Sequence, residues 1–255
     1  MGSGYCQESG VVIEVCCGSY EDALAAKEAG AHRVELNSAL FLGGLTPSMG
    51  NFVLARSIEG IKLLPMVRPR PGGFFYSAAE YEAMTEDARL FVERGADGIV
   101  FGFLNADGTV NEERVARFVE IAGGKDAVFH RAFDLTPDPF AAMESLVRCG
   151  VTRILTSGQA PSAPEGLELI KKLAEAAKGR IEILPGAGIR ATNVAHVVSC
   201  ARVTQVHFSA LAQKADTSAQ RNPAIRFGGA LYPREDVVDV VSVEKILGMV
   251  GALKG

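Results

Sequence analysis

Eight short apolar runs recur along the 255 residues of the chain, with stretches of helical periodicity between them. The starts of the runs lie roughly 22 to 36 residues apart, which is the length of one strand–helix unit in an eight-stranded barrel. Strict alternation of strand and helix favours a parallel sheet, and eight units without a reversal favour closure of that sheet. The sequence therefore predicts the α/β class and a single (β/α)8 TIM barrel. The runs begin at Val11, Arg33, Lys62, Gly98, Ala127, Arg153, Arg180 and Gln205.

The predicted barrel spans residues 11–255, after a flexible N-terminus at residues 1–10. One segment, at about residues 212–239, interrupts the repeat with many turn-forming residues and is predicted to be a loop extension. Because it follows the eighth strand, we expect it over the carboxyl-end face of the barrel, where such folds carry their functional loops. A lid and a plain surface insertion both fit that position.

The charge balance excludes several classes of partner. The chain has 26 Lys and Arg against 30 Asp and Glu, a net charge of −4, with both signs interspersed. It therefore lacks a basic footprint for nucleic acid and a polybasic patch for a membrane surface. No apolar run approaches the roughly 20 residues of a membrane span, and the first residues do not resemble a secretion signal. Five cysteines without paired spacing are typical of reduced thiols, so we expect a cytoplasmic protein.

The strand sequences predict an unusually polar barrel interior. Strand side chains alternate between the helix-facing side and the interior, and the aliphatic members of each run are assigned to the helices. The remaining members would point inward, where branched aliphatic residues are normal. The inward-facing charged and imidazole side chains, which are our candidate catalytic residues, are Glu14, Glu35, Arg68, His130 and His207.

Two interpretations of this polar set remain open. Buried charges are unfavourable unless they are paired, so the residues could form a self-satisfied ion-pair network at the barrel mouth. Alternatively they line a pocket, since two carboxylates, two imidazoles and a guanidinium can do acid–base work on a small anionic ligand. The two carboxylates and two imidazoles could also hold a divalent cation. Strand parity predicts that the carboxylates of Glu14 and Glu35 lie inside the barrel at its carboxyl end, near Arg68 and His130.

A second group of residues suggests an anion site. The loop after the seventh run contains Gly186 and Gly188 and leads into a helix, and loops after strands seven and eight commonly bind phosphate in these barrels. An ordinary tight turn is the alternative explanation. The full set of predicted substrate- or anion-binding residues is Arg70, Ser157, Gly186, Gly188 and Ser209.

Several short motifs of the chain point to one known family. They are Glu14-Val-Cys16, Arg33-Val-Glu-Leu36, Gly43-Gly-Leu-Thr-Pro-Ser-Met-Gly50, Met66-Val-Arg-Pro-Arg70, Gly95-Ala-Asp-Gly-Ile-Val-Phe-Gly102, Phe129-His-Arg-Ala-Phe-Asp134, Ile154-Leu-Thr-Ser-Gly158, Pro185-Gly-Ala-Gly188 and His207-Phe-Ser-Ala210. In these motifs the sequence resembles the CutC family of copper-homeostasis proteins. The resemblance covers about Val11 to Ala210 without a large gap.

The resemblance implies a cytoplasmic barrel that forms a homodimer or higher homo-oligomer, has a role in copper homeostasis and binds Cu(I) through thiols. Some family members carry a second cysteine directly after the second strand, where this chain has Asn37. Only Cys16 carries over as a metal ligand, and one thiolate by itself is a poor site for a soft ion that prefers two or more sulfurs. The alternative function is a TIM-barrel enzyme, such as an isomerase, lyase or hydrolase, that acts on a small anionic or phosphorylated substrate.

Overall fold

The structure is a computed structural model that describes residues 10–222, 224–227 and 234–254. The described residues contain ten strands, of which eight belong to the barrel and two form a separate hairpin. Most of the predicted flexible N-terminus (residues 1–9) and residues 223 and 228–233 of the predicted loop extension lie outside the described residues. The strands are β1 (Val12–Cys17), β2 (Arg33–Leu36), β3 (Lys62–Pro65), β4 (Gly98–Phe101), β5 (Asp126–Phe129), β6 (Arg153–Thr156), β7 (Glu182–Pro185), β8 (Gln205–Phe208), β9 (Leu211–Ala215) and β10 (Val237–Val241).

Eight helices alternate with the barrel strands, and a side chain caps the N-terminus of six of them. Ser77 accepts a hydrogen bond from the Glu80 amide, and the Glu80 carboxylate accepts one from the Ser77 amide, so this helix begins with a complete capping box. Ser19 caps the first helix, because its side-chain oxygen accepts a hydrogen bond from the Asp22 amide. The helices are α1 (Tyr20–Glu28), α2 (Met49–Arg56), α3 (Ala78–Glu93), α4 (Glu112–Ala122), α5 (Pro139–Cys149), α6 (Leu167–Ala177), α7 (Val194–Ala201) and α8 (Val243–Ala252).

Strands β1 to β8 surround one interior. They form two parallel four-stranded sheets, in the orders β3-β2-β1-β8 and β4-β5-β6-β7. The sheets meet between β3 and β4, where the Val67 amide donates to the Val100 carbonyl, and β7 lies beside β8 at the other junction. There Gln205 Nε2 donates to Glu182 Oε2 at 3.2 Å. The prediction of a (β/α)8 barrel is therefore confirmed.

Alternation along the strands separates an outer core from an inner one. Outward side chains such as Ile13, Val15 and Val34 are completely buried in the main core between strands and helices. A second, smaller apolar cluster lies within the barrel on the β3–β5 side and consists of Leu64, Met66, Val100 and Val128. The ionic side chains described below occupy the interior on the side of β1, β2 and β8.

The predicted loop extension begins and ends in strands. Strand β9 pairs antiparallel with β10, from Leu211 opposite Val241 to Ala215 opposite Val237. Most residues of both strands are exposed or half-buried, which explains why their sequence lacks the alternation of a buried strand. In the described part of the chain, no helix combines the length and apolar character needed to cross a bilayer.

Candidate functional site

Glu14 occupies the centre of the ionic side of the barrel. It lies on β1, opposite Arg33 of β2 and His207 of β8 in the strand register, so both neighbours present their side chains to the same interior. Arg33 Nε donates to Glu14 Oε2, and His207 Nδ1 lies 2.7 Å from Glu14 Oε1. Both carboxylate oxygens therefore have a partner, and the Glu14 side chain is 1% exposed.

The guanidinium beside Glu14 is therefore that of Arg33, whereas the sequence predicted Arg68 in this place. The register is the physical reason, because Arg33 is the direct cross-strand neighbour of Glu14 and Arg68 follows the end of β3. Arg33 Nη2 also donates to Gln205 Oε1 at 2.9 Å. Arg33 lies two residues before Glu35 on the same strand, so strand alternation puts both side chains on the interior face. The same rule could therefore have predicted Arg33 as an interior residue.

Arg153 is a second interior cation that sequence reasoning missed. It begins β6, and its side chain is 5% exposed. Arg153 Nε donates to Glu182 Oε2 at 2.7 Å, and its Nη2 donates to Asp126 Oδ2 at 3.2 Å. These partners all lie at the first residues of their strands, so a paired ionic network forms at the amino end of the barrel, opposite the mouth. The sequence placed a self-satisfied ion-pair network at the barrel mouth, whereas these ion pairs lie at the other end, and Arg153 Nη1 has no hydrogen-bond partner among the described residues.

Cys16 and Glu35 lie one step closer to the mouth, where they meet His207. They are cross-strand neighbours on β1 and β2, and Cys16 Sγ lies 3.6 Å from Glu35 Oε1. One ligand atom each from Cys16, Glu35 and His207 falls within 4.8 Å of the others. Asn37 Nδ2 donates to Glu35 Oε1 at 3.0 Å and to Cys16 Sγ at 3.4 Å. We call Cys16, Glu35 and His207 the interior triad.

Burial and charge move the pKa values of this group in different directions. Burial alone would raise the pKa of Glu14, but the positive charges of Arg33 and His207 outweigh it and lower that pKa to about 2. Burial raises the pKa of Glu35, against the opposing charge of His207. Burial would lower the pKa of His207, but Glu35 and Glu14 raise it. Burial, together with the charge of Glu35, raises the pKa of the Cys16 thiol.

Arg68 and His130 lie beyond β3 and β5 and make different contacts. Arg68 Nη1 donates to the carbonyls of Leu42 and Gly44, at 3.1 and 3.0 Å, and its Nη2 donates to Gly72 at 3.0 Å. His130 Nδ1 accepts a hydrogen bond from the Ala132 amide. The predicted closeness of these two residues to Glu14 and Glu35 has no counterpart among the hydrogen bonds and ion pairs of the described chain.

The predicted anion residues do not form one group in the structure. The Arg70 guanidinium contacts the Glu80 carboxylate, and the Gly186 amide donates to the Thr156 carbonyl at 2.9 Å, so both donors have protein partners. Ser157 Oγ is also bonded within the protein, to Asp134 Oδ2 at 3.0 Å. Gly188 and Ser209 are exposed.

Comparisons with known proteins relate the chain to one protein family. The CutC family profile matches residues 11–212. The chain is 50% identical to the family protein CutC of Treponema denticola over 243 residues, which is 95% of this chain and 99% of that protein. The human copper homeostasis protein cutC homolog is 42% identical over 238 residues, 93% of this chain and 87% of that protein.

A solved structure gives the same result. The crystal structure of CutC from Streptococcus agalactiae superimposes with a TM-score of 0.74 at 34% identity, and the match covers 78% of this chain and 98% of that chain. Sequence identity and a shared fold thus coincide over 78% of the chain. The chain belongs to the CutC family.

Proposed function

We propose that this protein acts in copper homeostasis by binding one Cu(I) ion through the Cys16 thiolate and the His207 imidazole. The human relative carries copper homeostasis in its name. The observation that supports a site in this chain is the interior triad, whose ligand atoms lie within 4.8 Å of one another. Thiolate sulfur suits Cu(I), and imidazole nitrogen is a common copper ligand.

The contact between Glu14 and His207 favours His207 as a ligand. Glu14 Oε1 holds the Nδ1 side of the ring at 2.7 Å, so Nε2 is the nitrogen left for a metal. A carboxylate behind an imidazole fixes the ring orientation and makes it a better donor, as it does in many metal sites. This chain has Asn37 where some family members have a second cysteine. His207 therefore supplies the second Cu(I) ligand in place of that cysteine.

Glu35 has a proton-accepting role in this proposal. Cu(I) binds the thiolate, so the Cys16 thiol has to lose its proton when the ion arrives. Glu35 Oε1, 3.6 Å from Sγ, is placed to accept it. Glu35 and Glu14 raise the pKa of His207 and so favour its imidazolium form, which loses its Nε2 proton to solvent when that nitrogen binds the ion. Cys16–SH, the His207 imidazolium, the Glu35 carboxylate and Cu(I) then become Cys16–S–Cu(I)–His207, a Glu35 carboxylic acid and one released proton, so the charge of the buried group does not change.

Location and assembly complete the proposal. Cys16, Cys17, Cys149 and Cys200 are free thiols in the structure, and a reducing compartment such as the cytoplasm keeps thiols in that state. A homodimer or higher homo-oligomer stays a prediction, which light scattering on the purified protein checks. The alternative of an enzyme acting on an anionic substrate, with catalytic roles for Glu14, Glu35, Arg68, His130 and His207, also stays a prediction.

Competition with a chromophoric Cu(I) chelator tests the copper site on the reduced protein. We expect one equivalent of Cu(I) and a loss of affinity of about 100-fold or more in Cys16→Ser, because the one thiolate ligand is removed. Asn37→Cys is expected to tighten binding, since residue 37 already contacts Cys16 Sγ at 3.4 Å and a second sulfur becomes available.

Cys200→Ser is the matched control for this experiment. Cys200 Sγ lies 3.4 Å from His196 Nδ1 on the surface of α7, so the chain has a second Cys–His pair, without a carboxylate behind the ring among the described residues. We expect Cys200→Ser to leave the affinity within about threefold. If Cys200→Ser abolishes binding and Cys16→Ser does not, the interior triad is not the copper site.

A further inference from the structure

Arg68 is a buried cation without a counter-charge in the described part of the chain. It is 7% exposed, the three groups that accept its hydrogen bonds are neutral carbonyls, and the nearby Tyr76 hydroxyl, whose pKa burial raises, is neutral as well. Its Nε has no hydrogen-bond partner among the described residues. The other interior arginines differ, because Arg33 is paired with Glu14 and Arg153 with Glu182. A buried charge is costly unless something compensates it.

His130 presents a second unused donor in the same region. It is 4% exposed, and its Nδ1 accepts from the Ala132 amide at 3.1 Å, which leaves the ring proton on Nε2. No described atom is a hydrogen-bond partner for that Nε2. Burial and the charge of Arg68 lower the pKa of His130 to about 3, so at neutral pH the ring is an uncharged donor.

The strand pattern brings these two donors to the same side of the barrel mouth. Arg68 continues the inward series of Leu64 and Met66, and His130 continues that of Val128, above the inner apolar cluster. The ring of Phe74 packs against both side chains, 4.7 Å from the His130 ring and 5.2 Å from Arg68 Cζ.

We propose that Arg68 Nε–H and His130 Nε2–H bind one oxyanion group, a carboxylate or a phosphate, of a small organic molecule. The anion supplies the missing counter-charge of Arg68 and accepts from both unused donors, and charge-assisted bonds of this kind are the strong ones. A neutral imidazole adds a donor without adding a second positive charge beside the guanidinium.

A neighbouring cavity accommodates the rest of the ligand. Phe74 lines a space of about 250 Å³ together with Phe75, Leu104 and Leu135. These four side chains suit the hydrocarbon part of an organic anion, and Arg70 and Asn105 add polar groups to the same lining.

Titrations of the copper-free protein with sodium phosphate and with sodium acetate test this site, each against sodium chloride at equal ionic strength. Nuclear magnetic resonance of the Arg68 Nε–H and His130 Nε2–H signals reports the two donors directly. We expect both signals to shift with phosphate, acetate or both, and the responding probe identifies the class of oxyanion. Equal shifts with chloride, or shifts at neither donor, would overturn the proposal.

Three variants measure how much His130 and Arg68 each contribute to the affinity for the anion. His130→Asn keeps an acceptor for the Ala132 amide but removes the Nε2 donor, and we expect binding to weaken about 10-fold. Arg68→Lys keeps the charge without the planar fork and is expected to weaken binding about as much, whereas Arg68→Gln should weaken it about 100-fold. If Arg68→Gln fails to fold, the other two variants still decide. The control is Arg148→Gln, an exposed arginine paired with Glu112, which should change affinity less than twofold. Unchanged affinity in both His130→Asn and Arg68→Lys contradicts the site.

Discussion

At the scale of the residue, Glu14 connects the interior ion pairs to the interior triad. Strand alternation was enough to predict Glu14, Cys16, Glu35 and His207 as interior residues, because the face of a strand residue depends only on its parity. The partner of Glu14 depends on the strand register, that is, on which residues lie opposite it in the neighbouring strands. That register cannot be derived from a single sequence. For this reason Arg33 was missed, and Arg68 was assigned a contact that loop carbonyls take instead.

Glu14→Gln tests the contribution of this carboxylate to stability. We expect the free energy of unfolding at pH 7 to fall by about 3 to 5 kcal/mol, because the buried Arg33 guanidinium loses its counter-charge. Denaturant unfolding of both proteins measures the difference. Glu144→Gln, in an exposed pair with Arg180, is the control and should leave the free energy of unfolding nearly unchanged, because solvent screens this pair.

The same carboxylate predicts a dependence on pH. The folded-state pKa of about 2 lies below the ordinary value of 4.5, so the stabilisation is fully present above about pH 4.5 and is lost as the pH falls towards 2. Unfolding of the native protein should therefore become easier over this interval, and Glu14→Gln should show a shallower slope. Parallel slopes in the two proteins would show that other groups cause the acid sensitivity.

At the scale of the element, the end of β4 makes room for His130. Gly102 continues the inward series of β4 after Val100, and a Cβ there would lie 2.3 Å from Cε1 and 2.5 Å from Nδ1 of the His130 ring. Helix ends were predictable because capping residues act locally, as at Ser77. The space beside Gly102 was not predictable, because it depends on a side chain from another strand. Strands β9 and β10 escaped prediction for a different reason, since their mostly exposed residues carry no hydrophobic pattern.

Gly102→Ala tests this packing. We expect a loss of about 1 to 3 kcal/mol in the free energy of unfolding, since a ring held on both sides has little freedom to move away. The cost should shrink in a His130→Ala background, which a double-mutant cycle measures. The control is Gly251→Ala in α8, where an added Cβ meets nothing within 4 Å and Ala is the better helix former. An equal cost with and without the His130 ring would contradict the packing explanation.

At the scale of the whole molecule, one buried carboxylate connects the N-terminal part of the chain to its C-terminal part. Asp22 in α1 is 3% exposed, and its Oδ2 accepts from the Gly18 amide at 2.9 Å. Its Oδ1 accepts from the Val241 amide at 2.7 Å, at the end of β10 and directly before α8. The C-terminal hairpin and helix are therefore attached to the first strand–helix unit by a hydrogen bond that bridges more than two hundred residues of sequence.

Asp22→Asn is expected to loosen this attachment. An amide has one accepting oxygen, so one of the two buried backbone N–H groups loses its partner, at a cost of about 1 to 3 kcal/mol. Because Val241 leads into α8, hydrogen exchange should accelerate over Val237–Ala252, while β2 and β3 keep their protection. The control is Glu21→Gln, which removes an exposed ion pair between α1 and Lys214 of β9 and should leave exchange nearly unchanged. Faster exchange throughout the barrel would mean that Asp22 stabilises the fold as a whole, and unchanged exchange would mean that the hairpin and α8 are held by apolar packing alone.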